Sequence, residues 1–357
     1  MKVVLYDVDS KIPNLALMKL SQFFKNKGYQ TLLAKKPQLI AADQYYASVV
    51  FNIEKSHNIV KRLTELYGDK IVIGGTGEDL VTTLTEEVDN CFPDYDLYNH
   101  TQYALGFLTR GCNKKCAFCV VPQKEGLLQA NYSSFKDFVP KGQQNVMLLD
   151  NNLLVVPNIN ELLEEMVKSN FNINFSQTLD IQYLTEDIYL KLRRVNSVNS
   201  RFTRKMIYFS CNTPKQAEWF VRKADMLKGF GREQVTSIIM FGFNTRLSQD
   251  FSILKTMKKL GIIPFVQEYL PIPGVPAKIP ENYFDMDLDE LSEFRIRSNG
   301  QNGEKFLRYV SKLYFDRYGK YYLPLLKAIY RYNNKPRIQY YLDRPEQLSV
   351  EMYKSYK

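Results

Sequence analysis

The sequence is poor in histidine, cysteine and tryptophan, and it has no long apolar run. Its 357 residues include two histidines, five cysteines and one tryptophan. No apolar stretch approaches the roughly 18 residues that a membrane span needs. The charged start, from Lys2 to Lys11, lacks the apolar stretch of a signal peptide. We therefore expect a cytoplasmic protein that makes no membrane contact.

The composition is that of an ordinary globular protein. Hydrophobic residues make up 45% and charged residues 24% of the chain, which excludes a disordered protein. The length predicts two or three domains, and the net charge is +10. Three of the five cysteines crowd into eight residues, a spacing unsuited to a disulfide framework. In a reducing compartment this crowding indicates metal or redox chemistry.

Strands and helices alternate through the first hundred residues. The predicted strands are Lys2–Tyr6, Thr31–Ala34, Tyr46–Phe51 and Lys70–Ile73, and the predicted helices are Asn14–Asn26 and Lys55–Tyr67. Such alternation favours a parallel sheet with helices on its faces. We predict a Rossmann-like α/β domain over residues 1–98.

A second alternation begins near Tyr103. Its predicted strands are Ala104–Thr109, Asn145–Leu149, Ile173–Ser176, Lys205–Phe209, Val235–Phe241 and Ile262–Tyr269. Helices are predicted between them at Ser134–Val139, Ile159–Ser169, Thr185–Val195, Lys215–Lys228 and Gln249–Leu260. Six strands with five intervening helices predict a partial (β/α)6 barrel over residues 99–285. In such folds the functional residues follow the carboxyl ends of the strands.

The cysteine-rich segment follows the first of these strands. Cys112, Cys116 and Cys119 have the spacing C-x3-C-x2-C, and Phe118 precedes the last of them. Thiolates are the usual protein ligands of iron–sulfur clusters. Three of them leave one iron of a four-iron cube open to a small molecule. Arg110 and the lysines of the segment would favour the ionised thiolates.

Motif, position and strand count together resemble the radical S-adenosylmethionine (radical SAM) superfamily. Its mark is C-x3-C-x-aromatic-C after the first strand of a six-stranded partial barrel, and Phe118 is the aromatic residue here. The resemblance implies a [4Fe-4S] cluster on Cys112, Cys116 and Cys119, whose open iron chelates S-adenosylmethionine. It further implies reductive cleavage of that cofactor to methionine and a 5′-deoxyadenosyl radical. The resemblance also implies a reducing protein partner such as flavodoxin or ferredoxin.

Polar residues at the other strand ends are candidates for contact with S-adenosylmethionine. In the superfamily, polar groups after the second strand receive its amino group, which points to Asp150 and Asn151. The remaining candidates at strand ends are Gln177, Ser210, Gly242 and Asn244. A turn is the alternative interpretation for the polar residues after the second strand and for Gly242. The substrate, small molecule or macromolecule, is not indicated.

Two other interpretations of the cysteines remain open. The three cysteines could form a structural zinc site with Cys91, His57 or His100, although structural zinc prefers four ligands, often in C-x2-C pairs. The segment from Gly111 to Pro122 also looks like that of the tRNA methylthiotransferases. Those enzymes need three more cysteines in the N-terminal domain, where this chain has only Cys91. We therefore do not expect sulfur insertion.

A Rossmann-like half before a radical SAM barrel resembles enzymes with a cobalamin-binding domain. The Gly74-Gly75 pair after a strand is similar to theirs, but the motif D-x-H-x-x-G, whose histidine would ligate cobalt, is absent. We therefore do not expect bound cobalamin, and a cobalamin-dependent radical methylase is retained only as an alternative.

The last segment, residues 286–357, is predicted to be helical. Residues 301–357 contain twelve Lys and Arg, five Asp and Glu, and eleven Tyr. Cations and aromatic rings could bind a nucleic acid such as tRNA. We favour amphipathic helices whose tyrosines pack on the barrel while the cations face water. No known RNA-binding module is visible.

Overall fold

A computed structural model describes residues 1–100, 102–231, 233–275, 279–286, 306 and 309–319. The contacts within the chain divide it into two compact units. One comprises Met1–Ile207 with a short segment from Leu270 onward, and the other Tyr208–Tyr269 with the described residues from 279 onward. None of the helices in the described ranges is both long and apolar enough to span a bilayer.

The first unit begins with a four-stranded parallel sheet. Its strands are β1 (Lys2–Asp7), β2 (Gln30–Ala34), β3 (Gln44–Ser48) and β4 (Ile71–Gly74), in the order β2-β1-β3-β4. The helices of this region are α1 (Leu15–Asn26), α2 (Glu54–Tyr67) and the short α3 (Glu86–Asp89). The side chain of Asn14 caps α1 by accepting a hydrogen bond from the backbone N–H of Leu17.

The central strand β1 is apolar on both faces, as a strand covered by helices on both sides must be. Val4 and Tyr6 belong to a core cluster that also contains Leu63 of α2. The alternate residues Val3 and Leu5 pack with Leu17, Leu20 and Phe24 of α1. Because successive side chains of a strand point to opposite faces, one continuous apolar run contributes to two separate cores.

The first unit continues with a second parallel sheet. Its strands β5 (Ala104–Gly106), β6 (Asn145–Leu148) and β7 (Asn172–Phe175) lie in that order. Further elements of this part are α4 (Val121–Lys124), α5 (Ile159–Ser169), the two-residue β8 (Leu179–Asp180) and α6 (Glu186–Leu192). Met18 of α1 shares a core cluster with Leu105 of β5 and Met147 of β6, so α1 packs against both sheets.

The second unit starts within β9 (Ile207–Ser210). It continues with α7 (Pro214–Arg222), α8 (Ala224–Gly229), β10 (Val235–Phe241), α9 (Leu247–Lys259) and β11 (Ile263–Glu268). β10 lies between β9 and β11 and pairs in parallel with β11. Residues 309–318 are helical.

These elements confirm the predicted α/β class. All six strands predicted after residue 99 are present in the predicted order. Two helix predictions were wrong in detail. The segment Ser134–Val139 forms only one 3₁₀ turn at Phe135–Asp137, capped by Ser134 and followed by Pro140. Residues 215–228 form two helices, α7 and α8, that meet at Lys223. The domain boundaries at residues 98 and 285 stay predictions.

Candidate functional site

The three-cysteine motif lies in a closed loop that leaves the carboxyl end of β5. Arg110 and Gln129 exchange two backbone hydrogen bonds, of 3.1 and 2.8 Å, which join the two ends of the loop. Inside it, the N–H of Cys112 donates to the carbonyl oxygen of Gly126 at 3.3 Å, and the N–H of Leu128 donates to Oδ1 of Asn113 at 3.1 Å. The cysteines are therefore held within a compact loop whose ends lie together.

Gly111, directly before the first cysteine, cannot be replaced without moving this loop. Its φ is +74°, in the left-handed region, and a Cβ there would lie 2.4 Å from the carbonyl oxygen of Leu127. The close approach of the two loop strands therefore depends on glycine at this position.

The three thiols of the loop form no disulfide and are close enough to influence one another. Cys112 is buried, while Cys116 and Cys119 are half-buried. Burial raises the pKa of Cys119, and the thiols of Cys116 and Cys112 raise it further. For Cys116, burial again raises the pKa, Lys114 lowers it, and Cys112 and Asp180 raise it. The thiols therefore share one electrostatic environment.

Three thiols on one short loop are the type of donor that iron–sulfur clusters take from proteins. Within the ranges that the structure describes, no three His, Cys, Asp or Glu side chains converge closely enough to hold one ion. A four-iron cube takes its thiolates on different iron atoms, so its ligands do not need to converge on one point. Structural zinc, by contrast, needs four donors around one centre, with sulfur at about 2.3 Å.

Two of the three fourth ligands considered for zinc have partners at their donor atoms. The thiol of Cys91 donates to the carbonyl oxygen of Glu87 at 3.3 Å. Nε2 of His57 lies 2.6 Å from Oδ1 of Asn52. The ring of His100 packs edge-on against Tyr103, with centroids 4.2 Å apart, and its buried Nε2 has no hydrogen-bond partner among the described residues. The zinc interpretation therefore stays an alternative only through His100.

The polar residues after β6 hold the start of the cysteine loop. Oδ1 of Asp150 accepts hydrogen bonds from the backbone N–H of Thr109 at 2.5 Å and its hydroxyl at 2.7 Å. The N–H of Leu108 lies 3.2 Å from Oδ1 and 3.3 Å from Oδ2. Oδ1 of Asn151 accepts from the N–H of Gly111 at 3.1 Å. Burial raises the pKa of Asp150 to about 6, although these donors oppose the rise.

A second contact fixes the middle of the loop. The ammonium of Lys114 donates to Oδ2 of Asp180, and it also lies over the ring of Tyr183, 5.2 Å from the centroid. Asp180 is buried and is the last residue of β8, the third strand after the loop in sequence. The loop is therefore tied to the ends of both β6 and β8.

The other candidate residues are distributed between the two units. In the first unit Gln177 is exposed after β7, and Phe118 is half-buried within the loop. In the second unit Ser210 is the last residue of β9, and Asn244 is exposed after β10. Their contact with a cofactor stays a prediction.

The backbone conformation and the packing of Tyr309 explain why glycine occupies position 242. Its φ is +80°, and a Cβ there would lie 2.4 Å from the hydroxyl oxygen of Tyr309. The ring of Tyr309 also packs against Phe241, with centroids 4.4 Å apart. Glycine at this position therefore admits a tyrosine of the C-terminal segment.

The glycines after β4 are likewise explained by the packing of the chain. A Cβ on Gly75, whose φ is +111°, would lie 2.1 Å from the carbonyl oxygen of Val49, and one on Gly77 would lie 2.6 Å from the backbone of Phe51. The adjoining Asp9 carboxylate accepts hydrogen bonds from the N–H groups of Val50 and Phe51, at 2.8 and 3.0 Å. Neither glycine requires a ligand.

The tyrosine-rich tail is described only in part. Within residues 309–319, Tyr309 is buried, and the rings of Tyr314 and Tyr318 lie against Phe284. Arg317 donates to the carbonyl oxygen of Glu281 at 2.6 Å. These contacts agree with packed tyrosines. The interleaved residues at 320–322 and 327–341, on which the nucleic-acid alternative depends, lie outside the described residues.

The ionic contacts around Arg110 could not be predicted from the sequence. Its guanidinium pairs with Asp89 and Glu125, and its Nη1 donates to the hydroxyl of Tyr132 at 2.9 Å. Asp89 lies 21 positions away in the sequence with no motif around it, so only the tertiary structure reveals the pair.

No protein-family model matches the chain. Three solved structures of Streptococcus suis SuiB are similar to it at 15% sequence identity: SuiB itself, SuiB bound to S-adenosylmethionine and SuiB bound to the precursor peptide SuiA. Their TM-scores are 0.35, 0.36 and 0.35. The similarity covers 74, 74 and 78% of this chain and 52, 53 and 55% of those chains. The chain thus spans about half the length of SuiB, and a similarity of this size carries no argument about activity.

Proposed function

We propose that this chain is a radical SAM enzyme in which Cys112, Cys116 and Cys119 hold a [4Fe-4S] cluster that binds S-adenosylmethionine. The observation that carries the proposal is the arrangement of three thiols, which form no disulfide, in one closed loop at the carboxyl end of β5. Bound there, the cluster would supply the electron for reductive cleavage of the cofactor's sulfonium.

The chain's own residues would position this chemistry. Asp150 and Asn151 hold the backbone of the loop, and Lys114 is fixed by Asp180 beside Cys116. The proposed contacts with S-adenosylmethionine are Phe118, Asp150, Asn151, Gln177, Ser210, Gly242 and Asn244. A reducing protein such as flavodoxin or ferredoxin would deliver the electron, and the substrate is left unassigned.

Iron analysis of protein purified without oxygen tests this proposal. The wild-type chain should carry about four irons, as one cubane requires. The variant with Cys112→Ala, Cys116→Ala and Cys119→Ala should carry none. The single variants Cys91→Ala and Cys211→Ala serve as controls and should retain the iron of the wild type. Full iron content in the triple variant would overturn the assignment.

A further inference from the structure

Arg110 stands at the centre of an ionic network two residues before the first cysteine. Its Nε donates to Glu125 at 2.7 Å, and its Nη1 lies 3.3 Å from Oδ2 of Asp89. Nη1 also donates to the hydroxyl of Tyr132 at 2.9 Å, and that hydroxyl donates to Asp89. Lys19 completes the network by donating to Oδ1 of Asp89 at 2.8 Å.

The network joins the cysteine loop to the N-terminal α/β region. Lys19 belongs to α1 and Asp89 ends α3, whereas Arg110 and Glu125 lie in the cysteine loop. A separate contact holds the other side of the loop: the ammonium of Lys124 donates to the carbonyl oxygens of residues 79 and 82, at 3.0 and 2.6 Å. Both flanks of the cysteine motif are therefore fastened to the same region.

The charges of this network are largely removed from solvent. The side chains of Lys19, Asp89, Arg110 and Glu125 are 10, 21, 25 and 18% exposed. Burial alone would raise the pKa of Asp89, but hydrogen bonds from Lys19 and Tyr132 and the charges of Lys19 and Arg110 lower it. Charge-assisted hydrogen bonds of this kind are about twice as strong as neutral ones.

We propose that the N-terminal α/β region is a brace for the cysteine loop, and that Asp89 and Arg110 are positioning residues for the motif. This gives the region a role that requires no cofactor of its own. The proposal rests on the proposed function in one respect, namely that the positioned thiols hold a cluster. In this proposal Arg110 acts through its contacts with the carboxylates of Glu125 and Asp89, and not through an electrostatic effect on the thiolates.

Arg110→Lys separates these two roles of Arg110. Lysine keeps the positive charge, but it cannot reproduce the planar fork that reaches Glu125 and Asp89 together. If Arg110 acts only through its charge, Arg110→Lys should leave the cysteine loop unchanged. If it acts through the geometry of its hydrogen bonds, Arg110→Lys should loosen the loop. Asp89→Asn removes the partner charge at nearly constant shape. Glu87→Gln is the matched control, because Glu87 lies on the same helix and is 68% exposed.

Alkylation of the metal-free, reduced 357-residue chain by iodoacetamide tests this role of the N-terminal region. The rate at each cysteine is followed by mass spectrometry. Cys112 is only 7% exposed, so it reacts when the loop opens, and the fully buried Cys211 reports unfolding that extends to the second unit. Arg110→Lys and Asp89→Asn should each speed alkylation of Cys112 about tenfold, as a loss of roughly 1.4 kcal/mol would. Cys211 should be unaffected, and Glu87→Gln should match the wild type.

Two results would contradict this role of the N-terminal region. One is an alkylation rate at Cys112 within about twofold of the wild type in both variants. The other is equal acceleration of alkylation at Cys112 and Cys211. Reconstituted protein adds a second measurement. Arg110→Lys should alter the electron paramagnetic resonance spectrum of the reduced cluster or lower its iron content, and Glu87→Gln should do neither. If the wild type takes up no iron, the proposed function fails, while the alkylation rates still decide the brace.

Discussion

The carboxylate of Asp150 accepts two hydrogen bonds from Thr109, one from the backbone N–H at 2.5 Å and one from the hydroxyl at 2.7 Å. These bonds connect the end of β6 to the residue three positions before Cys112. The carboxylate is buried, and burial raises its pKa to about 6 in spite of the donors. The start of the loop that carries the cysteines is therefore held by a buried carboxylate with a raised pKa.

The raised pKa of Asp150 has a defined effect on stability. Because the folded state binds the proton more tightly than the unfolded state, Asp150 contributes stability that is full below about pH 4 and is lost as the pH rises through about 6. Asp150→Asn should abolish this dependence. Denaturant unfolding of wild type and variant between pH 4 and 7 measures the difference.

Asp137→Asn is the control with the opposite sign. Hydrogen bonds from Ser134 outweigh the effect of burial and lower the pKa of Asp137, so its contribution is lost as the pH falls. The difference in free energy of unfolding between wild type and Asp137→Asn should therefore be constant above about pH 5 and shrink as the pH falls below about 4. Equal pH profiles for wild type and Asp150→Asn would contradict the assigned environment of Asp150.

Gly242→Ala should destabilise the chain because of both the backbone conformation and the clash with Tyr309. A side chain at φ +80° costs about 1–2 kcal/mol, and overpacking adds about 1–3 kcal/mol. Gly261→Ala is the matched control, since its φ is +70° and no atom of the described residues lies within 4 Å of the added Cβ. Denaturant unfolding should show a larger loss for Gly242→Ala than for Gly261→Ala.

The clash can be isolated by removing the hydroxyl of Tyr309. Gly242→Ala should cost less free energy of unfolding in the Tyr309→Phe background than in the wild type, because the atom 2.4 Å from the added Cβ is then absent. An equal cost in both backgrounds would show that the tyrosine does not occupy this position.

The N-terminal region should not bind a corrinoid. The two histidines of the chain are His57 and His100, which contact Asn52 and Tyr103, and Gly75 abuts the backbone of Val49. Protein mixed with hydroxocobalamin should pass through gel filtration without a corrinoid absorption spectrum. Stoichiometric corrinoid in the protein peak would contradict this and favour a cobalamin-dependent radical methylase.

Much of the fold could be predicted because periodicity reports the local environment of each strand and helix. Helix α5 begins and ends at the predicted residues, Ile159 and Ser169. The error at residues 134–139 arose because six residues with apolar spacing cannot distinguish a helix from a capped 3₁₀ turn. The error at 215–228 arose because no proline or glycine marks the break at Lys223.

The candidate site was predictable only where its residues are close in sequence. The cysteine spacing is visible directly in the sequence, and strand ends suggested Asp150 and Asn151. The sequence could not indicate that Asp150 binds Thr109, because hydrogen bonds between residues 41 positions apart depend on how β5 and β6 pair. The same holds for Arg110 with Asp89 and for Lys114 with Asp180.

The central claim is that the three cysteines hold a cluster that cleaves S-adenosylmethionine. The most direct measurement is the amount of 5′-deoxyadenosine formed by anaerobically reconstituted, dithionite-reduced protein supplied with S-adenosylmethionine. The wild type should release 5′-deoxyadenosine and methionine in equal amounts, and the triple variant of Cys112, Cys116 and Cys119 should release neither. Iron-loaded, reduced wild type that forms no 5′-deoxyadenosine, or equal formation by the triple variant, would contradict the account.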